Sequence, residues 1–303
     1  MSGTKVPTVT LDPAWLRSMV TRALDEDLGG NPGRDVTTRA TVPADARGTA
    51  ELRARGDGVV AGLPAVPEVV GQVATRLGLP TPTVDQVATD GDRVRRGDLL
   101  AAITGPVQVL LVAERTLLNI VGRASGVASH TRRWADALDG TGATVLDTRK
   151  TIPGLRPLDK YAVRCGGGAN KRMGLYDVAM VKDNHVVAAG SVTAAVHAVL
   201  EQFPDVPLQV EADTVEQAEE AVAAGARFLL LDNMEPAVLR QVVAAVRALE
   251  PRTGRVELEA TGNLTLDVAA QVAATGVDHL SVGGLTHSSP ALDVALDLVG
   301  SPA

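Results

Sequence analysis

Apolar residues recur along the chain with two different periods, and the change between them divides it. Near the start, Leu16, Met19, Val20, Ala23 and Leu24 fall at helical spacing, which predicts an amphipathic helix over 13–27. Asp12-Pro13 opens that helix with an acceptor at the N-cap and a proline at the first helical position. Residues 48–55 alternate small or apolar with charged side chains, the pattern of a half-buried strand. A second helix is expected over 63–77, and Asp90-Gly91-Asp92 and Arg96-Gly97-Asp98 punctuate short strands that end at Gly105-Pro106. From 107 to 138 the helical period returns for one long segment, with a break expected near Gly122 or Gly126.

Beyond it the pattern becomes strand then helix. Short apolar runs at 143–147, 178–182, 208–211, 228–231, 256–259 and 278–282 alternate with helical stretches at 192–203, 215–224, 236–249 and 265–274. No hairpin signal separates them, which predicts a parallel sheet. Six or seven such units favour a barrel, with an open doubly wound sheet as the alternative.

Charge changes this picture locally. The chain carries 29 Lys and Arg against 36 Asp and Glu, a formal net charge of −7. Between Arg149 and Lys182, however, eight basic residues meet only Asp159 and Asp177, a net of +6 that leaves −13 for the rest. Concentrated cations in an acidic chain suit a small polyanion, because clustered charge raises the local potential. Six aromatics are too few for a single-strand stacking platform, and a pI near 5.3 argues against a duplex binder, so no nucleic-acid partner is expected. A single cysteine, Cys165, excludes an intrachain disulfide. The first ten residues lack the basic-then-apolar order of a leader, and the uncharged stretch 99–113 is too short to span a membrane. A cytoplasmic protein without a membrane partner is the expectation.

Chemistry gathers where the strands end. Arg149 and Lys150 follow the first apolar run and Lys182 closes the second. Glu211 closes the third, Asp232 follows the fourth, Thr261-Gly262-Asn263 the fifth and Gly283-Gly284 the sixth. In a parallel barrel those ends share one face, where active sites are assembled. Arg149, Lys150, Arg172 and Lys182 suit carboxylates and phosphates. Glu211 and Asp232 suit a magnesium ion carried on a phosphate, or ion pairs with a neighbouring Lys or Arg. The two late glycine-bearing loops could cradle a phosphate against helix N-termini, or could simply turn the chain. Gly166-Gly167-Gly168 could serve as a lid. His130 and His197 read as surface residues of helices, and His185 and His287 as structural residues within reach of a ligand. Cys165 has no activating base in sequence and reads as a structural thiol.

These residues fall into a longer pattern. Asp147-Thr148-Arg149-Lys150-Thr151-Ile152-Pro153-Gly154-Leu155-Arg156 and Lys160-Tyr161-Ala162-Val163-Arg164-Cys165-Gly166-Gly167-Gly168 resemble the quinolinate phosphoribosyltransferase family. The likeness continues through Asn170-Lys171-Arg172, Lys182-Asp183-Asn184-His185, Glu211-Ala212-Asp213-Thr214, Leu231-Asp232-Asn233-Met234 and Gly283-Gly284-Leu285-Thr286-His287-Ser288. Upstream, Asp35-Val36-Thr37-Thr38 and Glu114-Arg115-Thr116-Leu117-Leu118-Asn119 fit as well.

The resemblance implies an α/β protein: an N-terminal α/β sandwich domain over 1–127 and an incomplete, six- or seven-stranded α/β barrel over 128–287, with the tail 288–303 free to pack back on the first domain. It also implies a reaction. Quinolinate and phosphoribosyl pyrophosphate, with magnesium, give nicotinate mononucleotide, pyrophosphate and carbon dioxide, the entry of quinolinate into NAD synthesis. It implies a homodimer or higher oligomer in which Arg115 reaches the partner's site. Lys150, Lys182, Glu211 and Asp232 would be catalytic, the two acids also meeting magnesium on the substrate. Arg149, Lys150, Arg172 and Lys182 would surround the quinolinate carboxylates and the pyrophosphate, with Thr148 lining the same pocket. Lys171 would also bind substrate, and Thr261, Gly262, Asn263, Gly283, Gly284 and His287 would form the 5′-phosphate site. One position departs: the family often has His where Lys171 stands, and lysine keeps a cation there but cannot act as an imidazole.

Overall fold

Asp12 accepts from the backbone N–H groups of Ala14 and Trp15 and starts the helix Pro13–Leu28, as its capping chemistry predicts. The computed structural model describes residues 10–300, which divide into two compact units. Among the described residues, the first comprises 10–130, Pro157–Gly167 and 289–300. Its strands are β1 (Arg47–Ala54), β2 (Gly58–Val59), β3 (Thr83–Gln86), β4 (Arg93–Val94) and β5 (Leu99–Pro106). β1, β5 and β3 join the last strand, Val294–Val299, in a four-stranded antiparallel sheet with β1 between Val294–Val299 and β5. β2 and β4 pair separately. The helix Ala65–Leu77 buries Val66, Val69, Val70 and Val73.

The long helix Val107–Ala137 runs 31 residues without the break expected at Gly122 or Gly126. Those glycines answer to packing instead. A Cβ on Gly126 would stand 2.1 Å from the Pro290 carbonyl oxygen, and one on Gly122 3.0 Å from that of Leu292. The returning chain lies against the bare helix backbone, so glycine is required there for room rather than for flexibility.

The second unit is Thr131–Arg156 with Gly168–Ser288. Residues 157–167 fold with the first unit: Asp159 binds Arg123 at 2.9 Å, and the Tyr161 hydroxyl donates to Asp90 at 2.6 Å. The strands β6 (Thr144–Leu146), β7 (Ala179–Val181), β8 (Leu208–Ala212), β9 (Phe228–Asp232), β10 (Glu257–Thr261) and β11 (His279–Ser281) are all parallel, in the order β6-β11-β10-β9-β8-β7. The first strand of the unit therefore pairs with the last. An open doubly wound sheet would reverse direction at an interior strand instead. One seam remains, between β6 and β7. At the edge of β6, Ala169 donates to Val145 and accepts from Asp147, a single-residue parallel bridge following the three glycines.

Register assigns the two faces. Val181, Val210, Leu229 and Leu258 share one face with Val145, Ala212, Leu231, Ala260 and Leu280, and all are buried. The helices Val192–Gln202 and Val215–Ala223 lie against β7 and β8. The opposite face carries Gln209, Glu211, Asp232, Glu257, Glu259, Thr261, His279 and Ser281. Strand ends differ from the sequence expectation by one or two residues, within the usual uncertainty of boundaries.

Candidate active site

Because the strands are parallel, their C-terminal ends share one rim. Lys182 directly follows β7 and Glu211 lies on β8; the Lys182 ammonium donates to Glu211 Oε2 at 2.5 Å, with side-chain exposures of 47% and 8%. His185 accepts the Lys182 backbone N–H through Nδ1 at 2.9 Å, so this histidine caps the turn that aims Lys182. Burial, and then a hydrogen bond with Asp183, raise the Glu211 carboxyl above the ordinary glutamate range, while Lys182 opposes them. Asp213 is likewise raised, by burial and then by the charges of Asp183 and Asp232. Asp183 and Asp213 were not singled out in the sequence, yet they belong to the same acidic group.

Asp232 ends β9 and accepts from the Asn233 side chain at 2.7 Å. Asn233 and Asn263 both adopt left-handed backbone, with φ of 51° and 46°, and Asn263 donates to Asn233 Oδ1 at 3.2 Å. A Cβ on Gly262 would stand 2.9 Å from the Asn233 backbone nitrogen, so the loops after β9 and β10 touch only because this residue is glycine. Thr261 accepts from Ser281 at 2.9 Å and brings in β11.

On the β6 side, Thr148 Oγ1 accepts the Lys150 N–H at 3.0 Å, and Thr286 donates to the Lys150 carbonyl at 2.9 Å. A Cβ on Gly283 would lie 2.9 Å from Lys150 Cδ and 3.3 Å from His287 Nε2. Gly283 has ordinary helical dihedrals, so it clears space for two side chains rather than supplying an unusual turn. The expected helix N-termini behind these loops are slight. Gly284–His287 has four residues, and after β10 come only Leu266–Val268 and Ala269–Ala273. Backbone and side-chain donors, more than a helix dipole, are what these loops offer an anion.

The basic island separates into two sets. Burial, and then the adjacent Arg149 guanidinium, pull Arg172 below its ordinary value, against Asp177. Arg172 also donates to the Val178 carbonyl at 2.9 Å. Arg149 Nε is buried with no hydrogen-bond partner. Lys171 pairs with Glu259 at 2.7 Å. Arg156, by contrast, bonds Thr151 and the Met173 carbonyl, and Lys160 is buried in the first unit. Arg164 also lies in the first unit, so Arg149, Lys150, Lys171, Arg172 and Lys182 are the other members in the barrel unit, Lys171 and Lys182 of them already paired with Glu259 and Glu211. His130 departs from its surface expectation, being half-buried with Nδ1 bonded to Ser289 at 2.8 Å. Arg115 lies in the first unit, exposed on Val107–Ala137. Burial, then Asp90, push the Cys165 thiol up to about 12, as a structural thiol requires.

Fold and site together define an α/β-barrel protein with a rim of cations and carboxylates at its strand ends. Residues 35–125 match the N-terminal domain of quinolinate phosphoribosyl transferase, and 127–297 its C-terminal domain. The chain is 45% identical over 282 residues to nicotinate-nucleotide pyrophosphorylase (carboxylating) of Mycobacterium leprae, covering 93% of this chain and 96% of that protein. It is 38% identical to quinolinate phosphoribosyltransferase (decarboxylating) 1b of Nicotiana tabacum, covering 93% and 82%. The solved structure of NadC from Streptococcus pyogenes superimposes with a TM-score of 0.86 at 35% identity, covering 96% and 99%. The chain belongs to the quinolinate phosphoribosyltransferase family.

Proposed function

We propose that this chain transfers the phosphoribosyl group of phosphoribosyl pyrophosphate to quinolinate with decarboxylation, giving nicotinate mononucleotide, pyrophosphate and carbon dioxide for NAD synthesis. Membership of the family over both domains supports the reaction. The observation that carries it to this chain is Arg149, whose buried, unpartnered Nε lies in a site where burial, and then the charge of Arg149, depress Arg172. Two guanidiniums that repel each other, one with an unmet donor, are the counterpart of a dicarboxylate.

Arg149, Lys171 and Arg172 take the quinolinate carboxylates, with Thr148 beside them. Thr261, Gly262, Asn263, Gly283, Gly284 and His287 surround the 5′-phosphate. Among the described residues no cluster of three or more His, Cys, Asp or Glu could hold a metal by itself. Two carboxylates with the oxygens of a phosphate are a fitting donor set for magnesium, which keeps few protein ligands. Glu211 and Asp232 would hold a magnesium ion brought by the pyrophosphate, and when bound it offsets charge on that leaving group. Lys150 and Lys182 offset the same charge.

As pyrophosphate departs, ribose C1 becomes positive, and the quinolinate ring nitrogen attacks it. When the 2-carboxylate leaves as carbon dioxide, the electron pair of the broken bond stays on C2, stabilised by the adjacent positive ring nitrogen, and C2 then takes a proton. No protein nucleophile is needed, which fits the unactivated Cys165. Positioning and electrostatics do the catalysis.

A homodimer sharing Arg115 belongs to this reading, supported by an exposed arginine whose side chain has no hydrogen bond or ion pair among the described residues. A cytoplasmic setting fits a chain with one cysteine, in which no described helix is long and apolar enough to cross a membrane. Purified protein given quinolinate and phosphoribosyl pyrophosphate should release carbon dioxide and nicotinate mononucleotide in equal amounts. Turnover of nicotinate with none of quinolinate would overturn the assignment.

A further inference from the structure

Two lysine–glutamate pairs stand in one row across the barrel sheet, and the family pattern in the sequence led to only one of the glutamates. Val181 is in register with Val210, so Lys182 stands beside Glu211; Glu211 is in register with Leu230, and Leu230 with Glu259. Adjacent strands lie about 4.8 Å apart, so the two glutamates are separated by about 10 Å, with Leu230 between them. The Lys182–Glu211 pair is open on its lysine side. The Lys171–Glu259 pair is closed, with side-chain exposures of 7% and 0%.

Lys171 comes from the loop after the glycines and is held at both ends. Its backbone N–H donates to Asp147 Oδ1 at 2.9 Å, and the neighbouring Asn170 side chain donates to Oδ2 of the same aspartate at 2.6 Å. Asp147 is itself fully buried. At the far end, the ammonium meets Glu259 Oε1 at 2.7 Å. The Glu259 side chain makes no other hydrogen bond among the described residues, and its Oε2 is buried without a partner. A carboxylate buried to hold one lysine is costly as a stabilising device, because an apolar side chain would fill the space at less expense. The arrangement has a different use: a lysine stem is long and flexible, and anchoring it removes that freedom before a ligand arrives.

We infer that Glu259 is a positioning residue for the reaction: it fixes the Lys171 ammonium, and with it residues 170–172, as part of the surface that receives the quinolinate carboxylates. This rests on quinolinate being the substrate. Because Glu259 cancels the charge of Lys171, that lysine contributes direction to binding, while the net attraction for a dianion falls to Arg149 and Arg172.

The test is a double-mutant cycle with Glu259→Gln, Lys171→Met and both together, read as KM for each substrate, as quinolinate affinity by calorimetry and as thermal midpoint. Glu259→Gln should raise KM for quinolinate about tenfold or more while leaving KM for phosphoribosyl pyrophosphate within about twofold. Adding Glu259→Gln to Lys171→Met should produce no further rise, since the glutamate acts only through the lysine. Should Glu259→Gln fail to fold, the double variant, which removes both charges of the pair, still gives the comparison with Lys171→Met. A normal quinolinate KM in folded Glu259→Gln, a double variant that regains wild-type KM, or additive effects of the two substitutions would each overturn the inference. Wild-type protein inactive on quinolinate would sink the parent assignment instead, so the two failures are distinct.

Discussion

Lys182 and Glu211 meet at 2.5 Å across the ends of two neighbouring strands, and the carboxylate is far more deeply buried than the ammonium. The lysine opposes burial and Asp183, which together raise that carboxyl above the ordinary glutamate range. A carboxyl raised in the folded protein binds its proton more tightly there than in the unfolded chain. Its stabilising contribution is therefore present at acid pH and is lost as pH rises through the folded value. Activity that needs the carboxylate moves the other way. The acid limb of kcat/KM should lie above the ordinary glutamate value of about 4.3. Lys182→Met should move that limb to still higher pH and lower kcat about a hundredfold. Rate profiles against pH decide this, and an unmoved limb would break the coupling.

Gly283 tests whether the last loop works by clearance. Gly283→Ala introduces no backbone strain, but its Cβ would crowd Lys150 and His287. The thermal midpoint should hold, while kcat/KM for phosphoribosyl pyrophosphate falls about tenfold or more through displacement of Lys150. An unchanged rate would mean that Lys150 does not act from its present position.

Arg115→Ala should abolish turnover with the fold intact. Mixed with an equal amount of inactive Lys150→Ala protein under conditions of subunit exchange, it should recover about a quarter of wild-type activity, because half the dimers then carry one intact site. Failure to recover after exchange is demonstrated by mass spectrometry would remove Arg115 from the partner's site.

Two glycines in helices should respond in opposite directions. Gly126→Ala would force a methyl to within 2.1 Å of the Pro290 carbonyl oxygen and should cost about 1–3 kcal/mol or more. Gly71→Ala, with nothing within 4 Å of its Cβ, should stabilise by about 0.5–1 kcal/mol through lower unfolded-state entropy and better helix propensity. Denaturant midpoints at constant m distinguish the two.

The six barrel strands were legible because each is a short apolar run between helices, and parallel pairing needs no further signal. The rim residues were legible as strand ends. Glu259 was not, although Glu257, Glu259 and Thr261 alternate along β10 and share the face that carries Asp232. The signal for it is the period-two alternation along the strand, not the strand's last residue. The helix Arg156–Cys165 is not legible from apolar spacing either. It buries Asp159 and Lys160 beside Leu158 and Tyr161, so its inner side carries charges that a hydrophobic stripe cannot reveal. The predicted break in Val107–Ala137 failed for a related reason: the residues that explain Gly122 and Gly126 lie about 165 positions further along the chain.

The placing of Val294–Val299 beside β1 has a consequence for how the protein is made. β1 has β5 on one side from early in synthesis, but its other edge is covered only by residues that leave the ribosome after the whole of β6 to β11. The unit begun first is therefore finished last, and until then β1 presents an unpaired strand edge of the kind that invites pairing between chains. A nascent chain stalled or cut before residue 294 would carry every barrel strand and still be aggregation-prone, through a defect at the opposite end of its sequence.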